Sequence, residues 1–100
     1  MKRATFDRDG YPTEETLKAF SQWPFEDPAG WLAFAESAWN KTYGHWRSNG
    51  PRITAVTGGW SGNEDVIEAM SDSYILWSLC WYMSKRGGLH EFKAPEGVRT

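Results

Sequence analysis

Apolar positions fall three and four residues apart in two early stretches and alternate through Arg52–Thr57. They then crowd together from Tyr74 to Met83 with only Ser78 between them. A spacing of three and four marks one face of a helix, and alternation marks a half-buried strand. A continuous apolar run marks an element covered on several sides.

Read in order, the pattern predicts six elements. Thr13-Glu14-Glu15 is an N-cap followed by two acids facing the positive end of a helix dipole. Leu17, Phe20 and Trp23 give that helix its apolar face, and Pro24 stops it. Asp27-Pro28 starts a second helix, with Trp31, Leu32, Phe34, Ala35, Ala38 and Trp39 at helical spacing and an end near Asn40. The connection Trp23–Glu26 is short, so the two helices meet at a corner or hairpin. Tyr43–Arg47 is expected as a short strand, turned by Ser48-Asn49-Gly50-Pro51 into a second strand, Arg52–Thr57. Ile53, Ala55 and Thr57 share one face of it.

From Gly62 to Arg86 no residue breaks a helix, so one long helix is expected, ended by Gly87-Gly88. Val66, Ile67, Met70, Tyr74, Trp77 and Trp81 share one sector. Ile75, Leu76, Leu79, Tyr82 and Met83 point elsewhere, so the second half needs cover on all sides or a partner. Leu89–Lys93 is the last strand. Residues 1–11 and 94–100 are expected to be loosely ordered. The expected fold is α+β, one domain over residues 1–100: two short N-terminal helices, a small antiparallel sheet of two or three strands, and a long helix packed on it.

Composition sharpens this picture in one respect. The chain carries seven Trp, four Tyr and five Phe in 100 residues. Burying seven indoles in so small a core is geometrically difficult, so one or two should be partly exposed. Eleven basic residues against thirteen acidic give a formal charge of −2, which disfavours counterion-driven binding to a duplex and falls short of a DNA mimic. A single cysteine excludes an intramolecular disulfide. The N-terminus has no apolar signal region and the apolar run is too short to span a bilayer, so a cytoplasmic protein without a membrane partner is expected.

The most site-like stretch is Thr57-Gly58-Gly59-Trp60-Ser61-Gly62-Asn63-Glu64-Asp65. Glycine-rich turns before helices present N–H groups to anions. This one lacks the P-loop Lys-Ser/Thr pair and the G-x-G-x-x-G spacing. Ser61-x-x-Glu64 instead matches a capping box, and Asp65 adds negative charge where an anion would sit. Trp60 is left over, a large side chain that neither reading requires. Cys80, mid-helix among apolar neighbours, reads as an inert core residue, and His45 and His90 show no metal-ligand spacing. The carboxylates are explained by helix starts and turns. No catalytic set, metal or cofactor is therefore expected, and the chain is read as a non-enzyme. Tyr43, His45, Trp46, Arg47 and Arg52 interleave aromatics with cations on the hairpin. With Trp60 and Asn63 they are the candidate binding residues. They suit a protein partner or, less well given the net charge, a single-stranded nucleic acid. The bland alternatives are that Tyr43 and Trp46 belong to the core, and that the apolar run makes a homodimer.

The strings GYPTEETL, WPF, TGGWSGNED and LWSLCW, with the ending S-x-RGG and a later Phe, resemble a group of small proteins encoded by bacteriophages and prophages. The likeness runs from about Tyr11 to Phe92. What it implies is context: a phage accessory protein in the bacterial cytoplasm, whose partner is a host or phage protein. By analogy of size and origin, it implies an inhibitor of a host defence system of the anti-CRISPR kind. It carries over no catalytic residue.

Overall fold

The computed structural model describes residues 3–95. Within them the chain forms α1 (Glu14–Gln22), α2 (Pro28–Ala38), β1 (His45–Asn49), β2 (Arg52–Val56), α3 (Ser61–Asp72), α4 (Tyr74–Cys80), β3 (Trp81–Lys85) and β4 (Leu89–Lys93). The fold is α+β, with four helices and a four-stranded antiparallel sheet in the order β1-β2-β4-β3.

The two early helices start as their caps dictate. The Thr13 hydroxyl accepts from the Thr16 amide at 3.2 Å, and Glu14 and Glu15 occupy the first turn of α1. One oxygen of Asp27 accepts from the Gly30 amide at 3.0 Å and caps α2, with Pro28 opening the helix. Its other oxygen accepts from the Trp23 indole at 3.1 Å, so one carboxylate also fixes the corner between the helices. Residues 3–11, expected to be loose, make a turn against α1. Thr13 donates its amide to the Thr5 carbonyl at 3.0 Å, and Asp7 accepts from the Asp9 and Tyr11 amides at 2.9 Å each. Ala94, expected to be loose as well, donates its amide to the Pro51 carbonyl at 2.9 Å, and the expectations for residues 1–2 and 96–100 lie outside the described residues.

The β1–β2 hairpin is two residues longer at its turn than the sequence pattern suggests. Asn49 pairs with Arg52, so the two-residue connection is Gly50-Pro51, with Gly50, at φ 63°, in the first position, which favours glycine. In β2, Ile53 and Ala55 are buried, as alternation requires, and Thr57 just beyond them is buried too. Trp46, Ile53, Ala55 and Phe92 form the sheet's inner face. Trp46 packs 5.3 Å from Trp39, the C-cap of α2, and Phe92 lies 5.5 Å from Trp77 of α4. Phe20 of α1 meets Trp31 at 6.4 Å and Phe34 at 5.0 Å, closing the core between the helices. Among the described residues no helix covers the opposite sheet face.

The long helix is a correction: it is broken twice. At Ser73 the backbone leaves helical geometry (φ −81°, ψ 72°), and the Ser73 hydroxyl donates to the buried Phe20 carbonyl at the end of α1. That carbonyl also accepts the Trp23 amide at 3.4 Å, and Ser73 adds a second donor from across the core where helix continuity is lost. The second break falls at Trp81, which caps α4 in extended geometry and enters β3 with no intervening loop. Gly87 and Gly88, at φ 88° and 81°, do not stop a helix; they turn β3 into β4. β3 is thus the strand the sequence reading lacks. Trp81 and Tyr82 are strand-enriched residue types with only middling helix propensity. Pairing with β4 decides for the strand, through a bulge at Tyr82 where the register shifts between Trp81 and Met83.

Candidate binding surfaces

The turn between β2 and α3 resolves almost wholly into architecture. Gly58 and Gly59 take left-handed geometry (φ 68° and 75°), which reverses the chain after Thr57. A Cβ on Gly58 would sit 1.7 Å from the Tyr43 carbonyl oxygen, so the backbones of the turn and the β1 approach touch there. The capping box is not formed. Trp60 is the N-cap, no side chain caps α3, and the Ser61 hydroxyl lies 3.3 Å from the Tyr11 hydroxyl instead. Trp60 packs down between two tyrosines, its ring 4.8 Å from Tyr11 and 5.2 Å from Tyr43, and lies over Gly62 where a Cβ would collide with it.

The seven candidate residues separate into three groups. Asn63 is fully buried, and its amide is spent on backbone. Oδ1 accepts from the Asn40 amide at 2.8 Å, while Nδ2 donates to the Asn40 and Thr57 carbonyls at 3.1 and 3.2 Å. Trp46 is also buried, on the inner face against Trp39 and Phe92. Tyr43 and Trp60 belong to the aromatic stack with Tyr11. Only His45, Arg47 and Arg52 come together on an open surface, the outer face of the sheet, since their neighbours Trp46 and Ile53 point inward. Of the seven indoles, Trp31, Trp39 and Trp46 are buried, Trp23, Trp60 and Trp77 half-buried and Trp81 exposed.

The sheet register adds residues that sequence order hides. Arg52 lies beside Lys93, Arg47 shares a row with Thr54 and Glu91, and His45 shares one with Val56, Leu89 and Lys85. Arg52 also lies over the Tyr82 ring, 5.4 Å from its centroid. Arg47, Arg52, Lys85 and Lys93 therefore share one face with a single carboxylate, Glu91. The acids gather elsewhere: Glu14 of α1 and Asp65, Glu68 and Asp72 of α3 line one groove, with Lys18 as its cation. The formal −2 conceals this separation.

A second surface is apolar. Tyr74, Ile75 and Leu79 of α4 are 81 %, 56 % and 50 % exposed, and Phe25 and Tyr74 border the same shallow pocket beside Trp23. Only Leu76, Cys80 and part of Trp77 turn inward, so half of the apolar run has no cover. The signal was present in the sequence as a helix apolar all round, but the length assigned to that helix obscured which residues face outward.

Other chemistry is sparse. Burial pushes the Cys80 thiol up to about 11, which leaves it unreactive. Ser84 Oγ lies 2.7 Å from His90 Nδ1 and accepts from the Trp81 indole at 2.8 Å, pinning the ring across the β3–β4 hairpin. Among the described residues no group of three or more His, Cys, Asp or Glu converges to hold a metal ion, and no helix is long and apolar enough to cross a membrane. A groove of about 640 Å³ beside α2 is walled by Trp23 and Phe34. Its carboxylate, Asp27, is already committed to the α2 cap and the Trp23 indole. No family model matches this chain, and no curated protein or solved structure shows significant similarity to it.

Proposed function

We propose that this chain is a non-enzymatic binding protein that inserts the exposed ridge of α4 into an apolar groove on another protein. The observation that carries the reading is the outward set Tyr74, Ile75 and Leu79, extended by Phe25. Contiguous apolar surface of this kind marks protein interaction sites. Ile75 and Leu79 stand one helical turn apart, the spacing with which a helix anchors in a groove. A second copy is a poorer fit. α4 has seven residues, a ridge of roughly 10 Å, whereas a stable dimer buries about 800 Å² on each partner. The resemblance to small phage and prophage proteins supplies a context, a host protein in the bacterial cytoplasm. Inhibition of a host defence complex is the finer form of the same reading.

The test is capture of binding proteins from bacterial lysate by the immobilised chain, beside Ile75→Asp and Leu79→Asp and beside Lys41→Ala as a surface control. A partner held by the wild type and the control, and lost from both α4 variants, supports the proposal. Equal capture by all four chains overturns it. So does a dimer by light scattering at micromolar concentration that reverts to monomer in Ile75→Asp.

A further inference from the structure

We infer that the outer face of the sheet is a second binding site, and that its ligand is a single-stranded nucleic acid held through its phosphates. This does not rest on the α4 reading, since the two surfaces share no residue.

The first observation is the charge pattern. Arg47, Arg52, Lys85 and Lys93 project one from each of the four strands onto one face, and Glu91 is the only carboxylate among them. Among the described residues the ion pairs are Lys18 with Glu14 and Lys41 with Glu36, both on the helical side. None of the four sheet cations is in them. The second observation is Arg52 opposite Lys93 in the β2–β4 register. Like charges directly opposite each other on neighbouring strands destabilise a sheet. Such a pair is stable when an anion bridges it.

The choice of ligand follows from shape. The face is a four-stranded sheet with no protruding helix or ribbon, so it has nothing to place in a duplex groove. It does offer a platform with cations at its margins and Thr54, Val56 and Leu89 half-buried between them. The Tyr82 ring, more than half exposed at one side, offers a base-stacking surface beside the Arg52 guanidinium. A flexible single strand can lay its phosphates along the cations and its bases inward. The net charge of −2 does not oppose this, because the acids of α1 and α3 lie off this face.

Fluorescence anisotropy with a labelled oligothymidylate at low salt tests the site, using the full chain and variants confirmed as folded by circular dichroism. The expected result is binding that weakens as salt rises. In Arg52→Ala/Lys93→Ala it should be weaker by about ten-fold or more, with a log–log salt slope shallower by about 1.4, two phosphate contacts at about 0.7 each. Glu91→Gln should bind several-fold more tightly than the wild type, because it removes the one repulsive charge. Lys18→Ala/Lys41→Ala, on the helical side, should match the wild type. The inference is overturned by any of four results: no binding at low salt; equal losses in the two double variants; equal competition by polyglutamate; or tighter binding of a duplex of the same length. Self-association at low salt that Arg52→Glu abolishes, without oligonucleotide binding, would assign the face to the acidic groove of a second copy and overturn it as well.

Discussion

Asn63 Oδ1 accepts the Asn40 backbone N–H at 2.8 Å, and the same side chain donates back to the Asn40 carbonyl. This reciprocal pair, with a further bond to the Thr57 carbonyl, joins the end of the α2 segment to the start of α3. Asn63 therefore acts where a backbone strand partner would otherwise be needed, at a place where neither helix nor sheet supplies one. Replacing it with Ala leaves the Asn40 N–H without its partner and takes one of two bonds from each of the Asn40 and Thr57 carbonyls, which still accept from the Gly44 and Trp60 amides. The expected cost is about 3 kcal/mol, read as a lower urea midpoint with an unchanged m-value. A loss under about 0.5 kcal/mol, the range of an ordinary surface substitution, would refute this role.

The two turn glycines differ in what surrounds them, and their substitutions should differ too. Both have positive φ, so Ala at either position bears the left-handed penalty of about 1 kcal/mol. Around Gly59 the space is open, and nothing further is expected. At Gly58 the added methyl would meet the Tyr43 carbonyl at 1.7 Å, and backbone cannot step aside as a side chain can. Gly58→Ala should cost about 3 kcal/mol in total and red-shift the tryptophan emission by loosening the Trp60 stack on Tyr43. Equal thermal midpoints for the two variants would show that the close approach is not rigid.

These local constraints explain what was legible in the sequence. The caps at Thr13 and Asp27 and the Leu89–Lys93 strand each depend on neighbours within a few residues and stand where the pattern puts them; the β1–β2 hairpin forms too, with its first strand shifted two residues toward the turn. The failures depend on distant partners. Ser73 ends α3 because it bonds the Phe20 carbonyl 53 residues away, and Trp81 begins a strand because β4 is there to pair with it. Ser61 and Glu64 have the spacing of a capping box, yet Ser61 faces Tyr11, which arrives from the far side of the chain. The candidate residues divide the same way. Arg47 and Arg52 are near in sequence and share a face, but Lys93 and Lys85 join them only through the β4 and β3 register.

Cys80 gives a direct measure of how firmly α4 is seated. Its thiol is buried among core side chains and pushed from an ordinary 9.0 up to about 11. Two units make the thiolate about a hundred-fold scarcer at pH 8. A thiol reagent such as Ellman's should react at least about a hundred times more slowly with the native chain than with the chain in urea. Reaction at the rate of a free thiol would mean that α4 lifts from the core easily. That result would favour a helix that detaches to meet its partner over a preformed ridge.

His90 should make stability depend on pH in a defined window. Burial lowers its pKa below the ordinary 6.5, and the nearby Glu64 carboxylate offsets part of that shift. The folded chain therefore holds the His90 proton less tightly than the unfolded chain does. Above about pH 6.5 the ring is neutral in both states and contributes no pH dependence. As the pH falls below that value the unfolded state binds the proton first, so stability is lost, and the loss levels off below the folded pKa. The neutral ring is also the form whose Nδ1 can accept the Ser84 hydroxyl hydrogen, since the Trp81 indole can only donate to that oxygen. Urea midpoints between pH 7.5 and 5.5 should fall for the wild type and stay nearly level for His90→Gln, before the carboxylates begin to titrate. A wild-type midpoint that rises toward pH 5.5 would reverse the sign and place Glu64, not burial, in control of the ring.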